Sequence, residues 1–347
     1  MDVGKNISSF LVIESCAIWL FKLLNNNNFP EFTGRLCPAP CEQACVLGIV
    51  NPPITIENLE KNIVERRTEL LKEGGIKFEL NFIVGKNATL SELRKKHDAI
   101  LIATGVYKAR EVEILGSNLK NIYPAMEFLT ASNRKGLGDK VKMFDDGYLN
   151  AEGKDIVVIG GGDTAMDCVR TSIRQNAKSV KCLYRRDKKN MPGSAREVNN
   201  AEEEGVDFQW LTNPKEFIGK NGNVSEVIVT KMKLGETDAT GRQKPEIISG
   251  SEVKIKADMV IKALGFDPED IPAMFSEPKL DVSKWGTIKI DLKTMQTNIE
   301  GVFAAGDIVR GASLVVWAIK DGRDAAEAID VFLKNKALKS VKKRMVA

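Results

Sequence analysis

Residues 154–187 read KDIVVIGGGDTAMDCVRTSIRQNAKSVKCLYRRD. The apolar run Ile156-Val157-Val158-Ile159 does not alternate, as expected of a strand buried on both faces in a parallel sheet. It stops at Gly160-Gly161-Gly162-Asp163-Thr164-Ala165, a G-x-G-x-x-A turn. In such a turn the first glycine makes the bend, the second lets backbone approach a pyrophosphate, and the third small residue lets the next helix pack on its strand. Helical residues run from Thr164 to about Gln175, so the free N–H groups at the helix start face the phosphates. A second apolar strand, Ser179 to Tyr184, completes a β-α-β unit. A glycine turn alone is weak evidence of a ligand, but strand, turn, helix and strand stand here in the required order. The stretch predicts a dinucleotide site with Gly160, Gly162, Asp163, Thr164 and Ala165 at the phosphates.

The end of the second strand says which dinucleotide. A site for NAD places an acidic residue there for the ribose 2′-hydroxyl, whereas this chain has Arg185-Arg186, followed by Asp187. Guanidinium groups make charge-assisted, often bidentate bonds to phosphate. The pair therefore predicts NADPH; a solvated basic turn is the plainer alternative.

The 347 residues allow about two domains. With 51 Lys and Arg against 47 Asp and Glu the net charge is only +4, and the basic residues are dispersed, so no nucleic-acid surface is expected. The single histidine, His97, excludes multi-histidine metal sites; it reads as a strand-edge residue. Residues 10–24, FLVIESCAIWLFKLL, are interrupted by Glu14 and fall short of the roughly twenty apolar residues that a bilayer span requires. They predict a buried or partner-packed helix, and no membrane association is expected. Cys168 and Cys182 lie inside the β-α-β unit and read as small core residues. Without a secretory signal disulfides are not expected and the location predicted is cytoplasmic, so Cys37, Cys41 and Cys45, spaced C-x3-C-x3-C around Pro38 and Pro40, point to metal chemistry of the iron–sulfur kind.

The cysteine-rich segment FPEFTGRLCPAPCEQACVLGIVNPPITIENLEKNIVE (29–65) closely resembles part of the small (beta) subunit of NADPH-dependent glutamate synthase. So do the dinucleotide unit, NMPGSAREVNNAEEEGVDF (190–208), and GVFAAGDIVRGASLVVWAIKDGRDAA (301–326). The resemblance covers about Phe29 to Lys334. It implies a flavoprotein in which hydride passes from NADPH to FAD. Electrons then move through 4Fe–4S clusters to the large (alpha) subunit, which makes glutamate from glutamine and 2-oxoglutarate. By the same resemblance Cys37, Cys41 and Cys45 match cluster ligands, Thr104 and Gly105 of HDAILIATG (97–105) lie beside the flavin nucleotide, Gly306 and Asp307 contact the flavin, and Trp317 and Ala318 neighbour its ring. For Asp307 a capped strand-to-helix turn is the structural alternative.

Two features depart from that family. Residues 1–26 do not match its first cysteine group. In addition, ENLEKNIVE runs directly into RRTELLKEGGIKFELN near Glu65 and Arg66, where the family has a first G-x-G-x-x-G for the ADP half of FAD. No second glycine fingerprint occurs elsewhere. The fold class expected is therefore α/β, with two interleaved Rossmann-like dinucleotide-binding domains, the flavin one incomplete, after a short helical cysteine-rich segment. The boundaries expected are 1–65 for the cysteine-rich segment, 66–152 with 266–335 for the flavin domain, 153–265 for the NADPH domain, and 336–347 for a basic tail. Within these, helix Arg67 to Lys72, strands Ile76 to Leu80 and Ala99 to Ala103, a hairpin at Asn221-Gly222, a return strand in Ala257 to Leu264, and a solvated helix end at Glu202 to Glu204 are predicted. An NADPH-binding module without turnover, or a structural subunit docking through the cysteine segment, are the alternatives to an oxidoreductase.

Overall fold

The computed structural model describes residues 64–237 and 243–346. The chain divides into two compact units, one spanning Tyr107–Asp267 and the other built from residues up to Val106 and from Pro268 onward.

The outer unit begins with helices α1 (Val64–Glu73) and α2 (Leu90–Lys96) and strand β1 (Ile100–Ile102). Thr89 and Glu92 form a reciprocal capping box at the start of α2, which satisfies two otherwise free N–H groups. The inserted unit follows with β2 (Lys108–Ala109), β3 (Ile122–Pro124), α3 (Ala125–Gly136), α4 (Lys142–Asp145), β4 (Asp155–Ile159), α5 (Asp163–Arg174) and β5 (Ser179–Tyr184). It continues with α6 (Ala195–Glu203), β6 (Asp207–Trp210), β7 (Thr212–Lys220), β8 (Asn223–Thr237), β9 (Gln243–Ile247), β10 (Val253–Lys256), β11 (Met259–Lys262) and β12 (Phe266–Asp267). The chain then returns to the outer unit with α7 (Ile271–Met274), β13 (Val302–Ala304), α8 (Asp307–Arg310) and α9 (Val315–Val346).

The inserted unit is a three-layer structure, and the side chains of β4 show why. All five residues of β4 are buried, as befits the central strand of the parallel order β3-β11-β4-β5-β6. Ile156 and Val158 point into one core with Phe128 of α3, Met166 and Val169 of α5, and Val198 of α6. Val157 and Ile159 point to the other face, against Phe217, Val227, Val229 and Ile255 of an antiparallel sheet ordered β10-β8-β7. The β7–β8 hairpin turns at Asn221 and Gly222, both with positive φ (54° and 79°), the conformation that a two-residue hairpin loop of this sequence favours.

The expected boundary at residues 152/153 lies instead near Val106 and Tyr107. Strand β3 sits in the inserted unit's sheet, pairing Ile122 with Val260 of β11, and Phe128 and Ala131 of α3 join its core.

In the outer unit β1 pairs in parallel with β13, Ile100 to Val302 through Ile102 to Ala304. Ile102, Val302 and Ala304 pack with Leu90, Ile271, Phe275 and Ile308. Phe303 faces the other way, onto Ala325 and the edge of the Phe332 ring in α9. Among the described residues this sheet has two strands, and Leu101 is exposed, so β1 is not the fully buried strand its composition suggests. The predicted strand Ile76 to Leu80 is irregular. Its alternating Ile76, Phe78 and Leu80 are exposed, and no described strand pairs with it; an unpaired segment has no ladder to satisfy its backbone groups.

Three smaller expectations also change. The basic tail is continuous with α9. Glu204 is no solvated helix end: its Oε1 accepts from Nε (2.9 Å) and an Nη (2.7 Å) of Arg170, tying α6 to α5. His97 caps the end of α2 through its N–H to Leu93 O and precedes the strand, as expected. The helix expected at residues 10–24 and the ligand cysteines Cys37, Cys41 and Cys45 lie outside the described residues.

Candidate nucleotide-binding site

The glycine turn links the carboxyl end of β4 to α5, and its three glycines have three different surroundings. Gly160 donates its N–H to Leu183 O, and a Cβ built on it would lie 2.2 Å from Ala263 O. A Cβ on Gly161 would lie 2.4 Å from two ring carbons of Tyr184. These two glycines are therefore required by packing inside the protein. Gly162 has φ −90° and ψ 178°, open to any residue, and a Cβ there would meet nothing within 4 Å. Among the described residues no atom requires a glycine at 162, and the space leaves room for a ligand to lie against the backbone.

Gly162 is also the N-cap of α5, and no side chain caps it. The free N–H groups of the helix's first turn are therefore left available to an anion. Ala165 is fully buried in the core beneath, which is the close helix–strand contact that a small residue permits.

The residues after β5 divide their work. Arg185 is exposed and has no hydrogen-bond or ion-pair partner among the described residues. Arg186 donates from Nε to the carbonyl of Gln243 at the start of β9 (2.8 Å). Asp187 accepts from both the backbone N–H (2.9 Å) and the side-chain amide (2.7 Å) of Asn190. It thus caps a short turn, Lys188–Asn190, and that carboxylate already serves two donors. A free guanidinium and an engaged carboxylate at this strand end favour a phosphorylated ribose over an unmodified one.

Asp163 donates nothing; its Oδ1 accepts from the backbone N–H of Ser194 (2.7 Å). Tyr184, packed under Gly161, donates its hydroxyl to Asn190 O (2.8 Å) and meets Trp210 edge-on. Neither link is legible from spacing, because Ser194 and Asn190 lie in a loop outside the β-α-β motif. Cys168 and Cys182 are both buried, and burial pushes the Cys182 thiol up to about 12 and Cys168 well above its usual value, so both stay protonated core residues.

In the outer unit, Thr104, Gly105, Gly306 and Asp307 all follow the carboxyl ends of the adjacent strands β1 and β13, where Ala305 N donates to Ile102 O (3.1 Å). Gly306 has φ 76°, and a Cβ there would sit 3.8 Å from Ala318 Cβ. Asp307 is half-buried; burial raises its carboxyl, while the Ser313 N–H lowers it in part. Asp307 thus accepts a backbone donor, as the capped-turn alternative requires. Trp317 is partly exposed and lies under the Arg310 guanidinium (5.0 Å). Arg310 in turn grips Asp321 with two bonds (2.5 and 2.6 Å). Asp321, also a partner of the Gly306 N–H, is held below the usual carboxylate range, chiefly by Arg310. It is buried inside α9 and carries no motif that marks it in the sequence.

Residues 41–322 match the family of pyridine nucleotide-disulphide oxidoreductases. The chain is 60% identical over 279 residues to the glutamate synthase NADPH small chain of Azospirillum brasilense, an alignment covering 80% of this chain and 58% of that protein. It is 58% identical over 291 residues to a putative glutamate synthase NADPH small chain of Cereibacter sphaeroides, covering 84% of this chain and 70% of that one. The chain thus spans 58% of the length of the Azospirillum relative. Among solved structures, Mycobacterium tuberculosis FprA in complex with NADPH is similar in fold, with a TM-score of 0.64 at 18% identity over 81% of this chain and 73% of that one. The interleaved α/β architecture and the 60% and 58% identities agree, and the chain belongs to the pyridine nucleotide-disulphide oxidoreductase family, within its group of glutamate synthase small chains.

Proposed function

We propose that this chain is an oxidoreductase that draws electrons from NADPH and delivers them, by way of a flavin, to a glutamate synthase large subunit that makes glutamate from glutamine and 2-oxoglutarate. The open space at Gly162, with Arg185 at the neighbouring strand end bonded to none of the described residues, is the observation that carries it. Gly162 and Thr164 cradle the pyrophosphate on the bend that Gly160 makes, with Ala165 packed beneath as the small residue of the turn, and Arg185 pairs with the 2′-phosphate. Arg186 holds β9 against the site from the side. In the outer unit Gly306, Asp307, Thr104 and Gly105 line the flavin, with Ala318 and Trp317 behind them. When bound, nicotinamide and flavin supply the hydride chemistry themselves; the chain binds and orients them, and no side chain is needed as acid or base. Cys37, Cys41 and Cys45 offer three thiolates where a 4Fe–4S cluster takes four, so they are cluster ligands only together with a further donor. No helix among the described residues is long and apolar enough to cross a membrane; the site of action we propose, from the kinship to glutamate synthase small chains, is the cytoplasm.

Calorimetric titration of the full chain tests the nucleotide half. NADPH is expected to bind at least tenfold more tightly than NADH, a difference of about 1.4 kcal/mol; equal affinities would sink it. A flavin band near ~450 nm in the purified protein tests the other half.

A second reading, an NADPH-binding module without turnover, draws on the two-stranded β1–β13 sheet and its exposed Leu101. It predicts the same titration with no flavin band and no reduction of an acceptor dye.

A further inference from the structure

Asp163 opens helix α5 at the place where a polyanion would lie. A carboxylate there is a poor direct ligand for pyrophosphate, because like charges a few ångströms apart repel. Its oxygen is instead engaged by Ser194 N–H at 2.7 Å. One residue earlier, Gly193 N donates to Gly161 O at 2.9 Å. A Cβ on Gly193 would come 3.1 Å from that oxygen and 3.4 Å from the carbonyl carbon of Gly162. Residues 191–194 therefore lie against the outer side of the glycine turn. The segment is held before its start by the Tyr184 hydroxyl and Asp187, both bonded to Asn190, and at its end by Asp163.

We propose that Asp163 is a positioning residue, a latch that fixes residues 191–194 as one wall of the NADPH cradle and acts on the nucleotide through that wall rather than by touching it. The proposal rests on the reading of the glycine turn as an NADPH site. What the latch needs is an acceptor, not a charge. Asp163→Asn keeps an oxygen for Ser194 N–H and removes the repulsion, whereas Asp163→Ala removes the acceptor. Ser194→Pro removes the donor instead: Ser194 has φ −54°, which proline adopts, and the ring Cδ takes the place of the hydrogen on an amide nitrogen 2.7 Å from Asp163 Oδ1, so the carboxylate is pushed off the segment.

The test is a double-mutant cycle read by calorimetric titration of NADPH into the full chain. D163A and S194P are each expected to weaken NADPH about tenfold, and the double variant no further, because both break one bond. D163N is expected to bind within about twofold of wild type or more tightly. Retained affinity in S194P beside loss in D163A would overturn the proposal, since Asp163 would then be a direct ligand. Additive losses of about a hundredfold would overturn it equally. Amide exchange at Ser194 reads the latch without nucleotide: D163A should speed it and D163N should not, and unchanged exchange in D163A is a third overturning result. If the exchange behaves as expected while wild-type protein fails to bind NADPH, the latch exists and the NADPH reading is what has failed, taking this role with it. Should D163A not fold, S194P against D163N still separates latch from ligand.

Discussion

Alanine substitutions along the glycine turn should separate stability from binding, residue by residue. At Gly162 two effects on folding oppose each other. Alanine restricts the unfolded chain, a gain of about 0.4–1 kcal/mol where the native φ suits it, as −90° does. Against that, alanine is a poorer N-cap than glycine by a similar amount, about 0.5–1 kcal/mol. With open space around the new methyl group, G162A should change unfolding free energy by less than about 0.5 kcal/mol. Gly160→Ala places a methyl 2.2 Å from Ala263 O, at φ 148°, and Gly161→Ala places one 2.4 Å from the Tyr184 ring. Backbone or a packed ring must move, at a cost of about 2 kcal/mol or more in each case. Binding should run the other way: the methyl of G162A occupies the space that pyrophosphate needs and should weaken NADPH by about 1–3 kcal/mol in a protein that folds normally. Urea titration and calorimetry on the three variants check both axes. If G162A is as destabilised as G160A, or binds NADPH with wild-type affinity, the assignment of Gly162 to a ligand is wrong.

The remaining predictions concern charge. Arg185→Ala should weaken NADPH by about 1–3 kcal/mol and leave NADH unchanged, while Arg186→Ala, which frees Gln243 O, should affect both nucleotides alike; paired titrations decide. Asp155 is buried, which alone would raise its carboxyl, yet bonds from Lys256, Ser179 and Lys178 prevail and hold it at about 2, below its ordinary 3.8. Its contribution is thus present above the unfolded value and lost as pH falls from about 5 towards 2. The shift corresponds to about 2 kcal/mol at most, and to about 1 kcal/mol after screening of two lysines that are more than half exposed. Urea midpoints of wild type and Asp155→Asn should therefore converge on acidification, and parallel curves would contradict the assignment. Arg170→Ala should lower unfolding free energy by about 2 kcal/mol, because it takes the nearest guanidinium from two partly buried carboxylates, leaving Glu204 only the more exposed Arg174 and Glu197 only a 4.0 Å contact with Arg196; Arg174→Ala, a mostly exposed side chain, should cost under about 0.5 kcal/mol by the same melt.

What was legible in the sequence was what closes locally. Strand β4, the glycine turn, α5 and β5 lie within one contiguous stretch, and the contact that joins them, Ile159 to Leu183 with Gly160 N on Leu183 O, closes inside that single β-α-β motif. Local apolar runs and a turn motif therefore announce the glycine turn and the place of Arg185 at the strand end together. The extent of the inserted unit depended instead on β3 meeting β11, Ile122 to Val260, a pairing that no local pattern near Ile122 announces. The same holds for Asp163 with Ser194 and for Asp321 with Arg310, where short polar side chains find partners across loops.

The outer unit carries this further. Ile76, Phe78 and Leu80 alternate as a strand should, and Ala99 to Ala103 is as apolar as β4, yet the first stretch forms no strand and the second buries only Ile102 of its three strand residues. Periodicity states what a segment can bury; a neighbouring strand decides whether it does. β4 has β11 on one side and β5 on the other, so its apolar run becomes the middle of a sheet. β1 has β13 alone among the described residues, and equally apolar residues are left at an edge, with Leu101 facing outward. Among the described residues the difference between the two units is thus one of strand partners rather than of strand composition, so a flavin bound at β1 and β13 has fewer strands beneath it than a nucleotide bound at β4, and the absorbance spectrum reads whether that suffices.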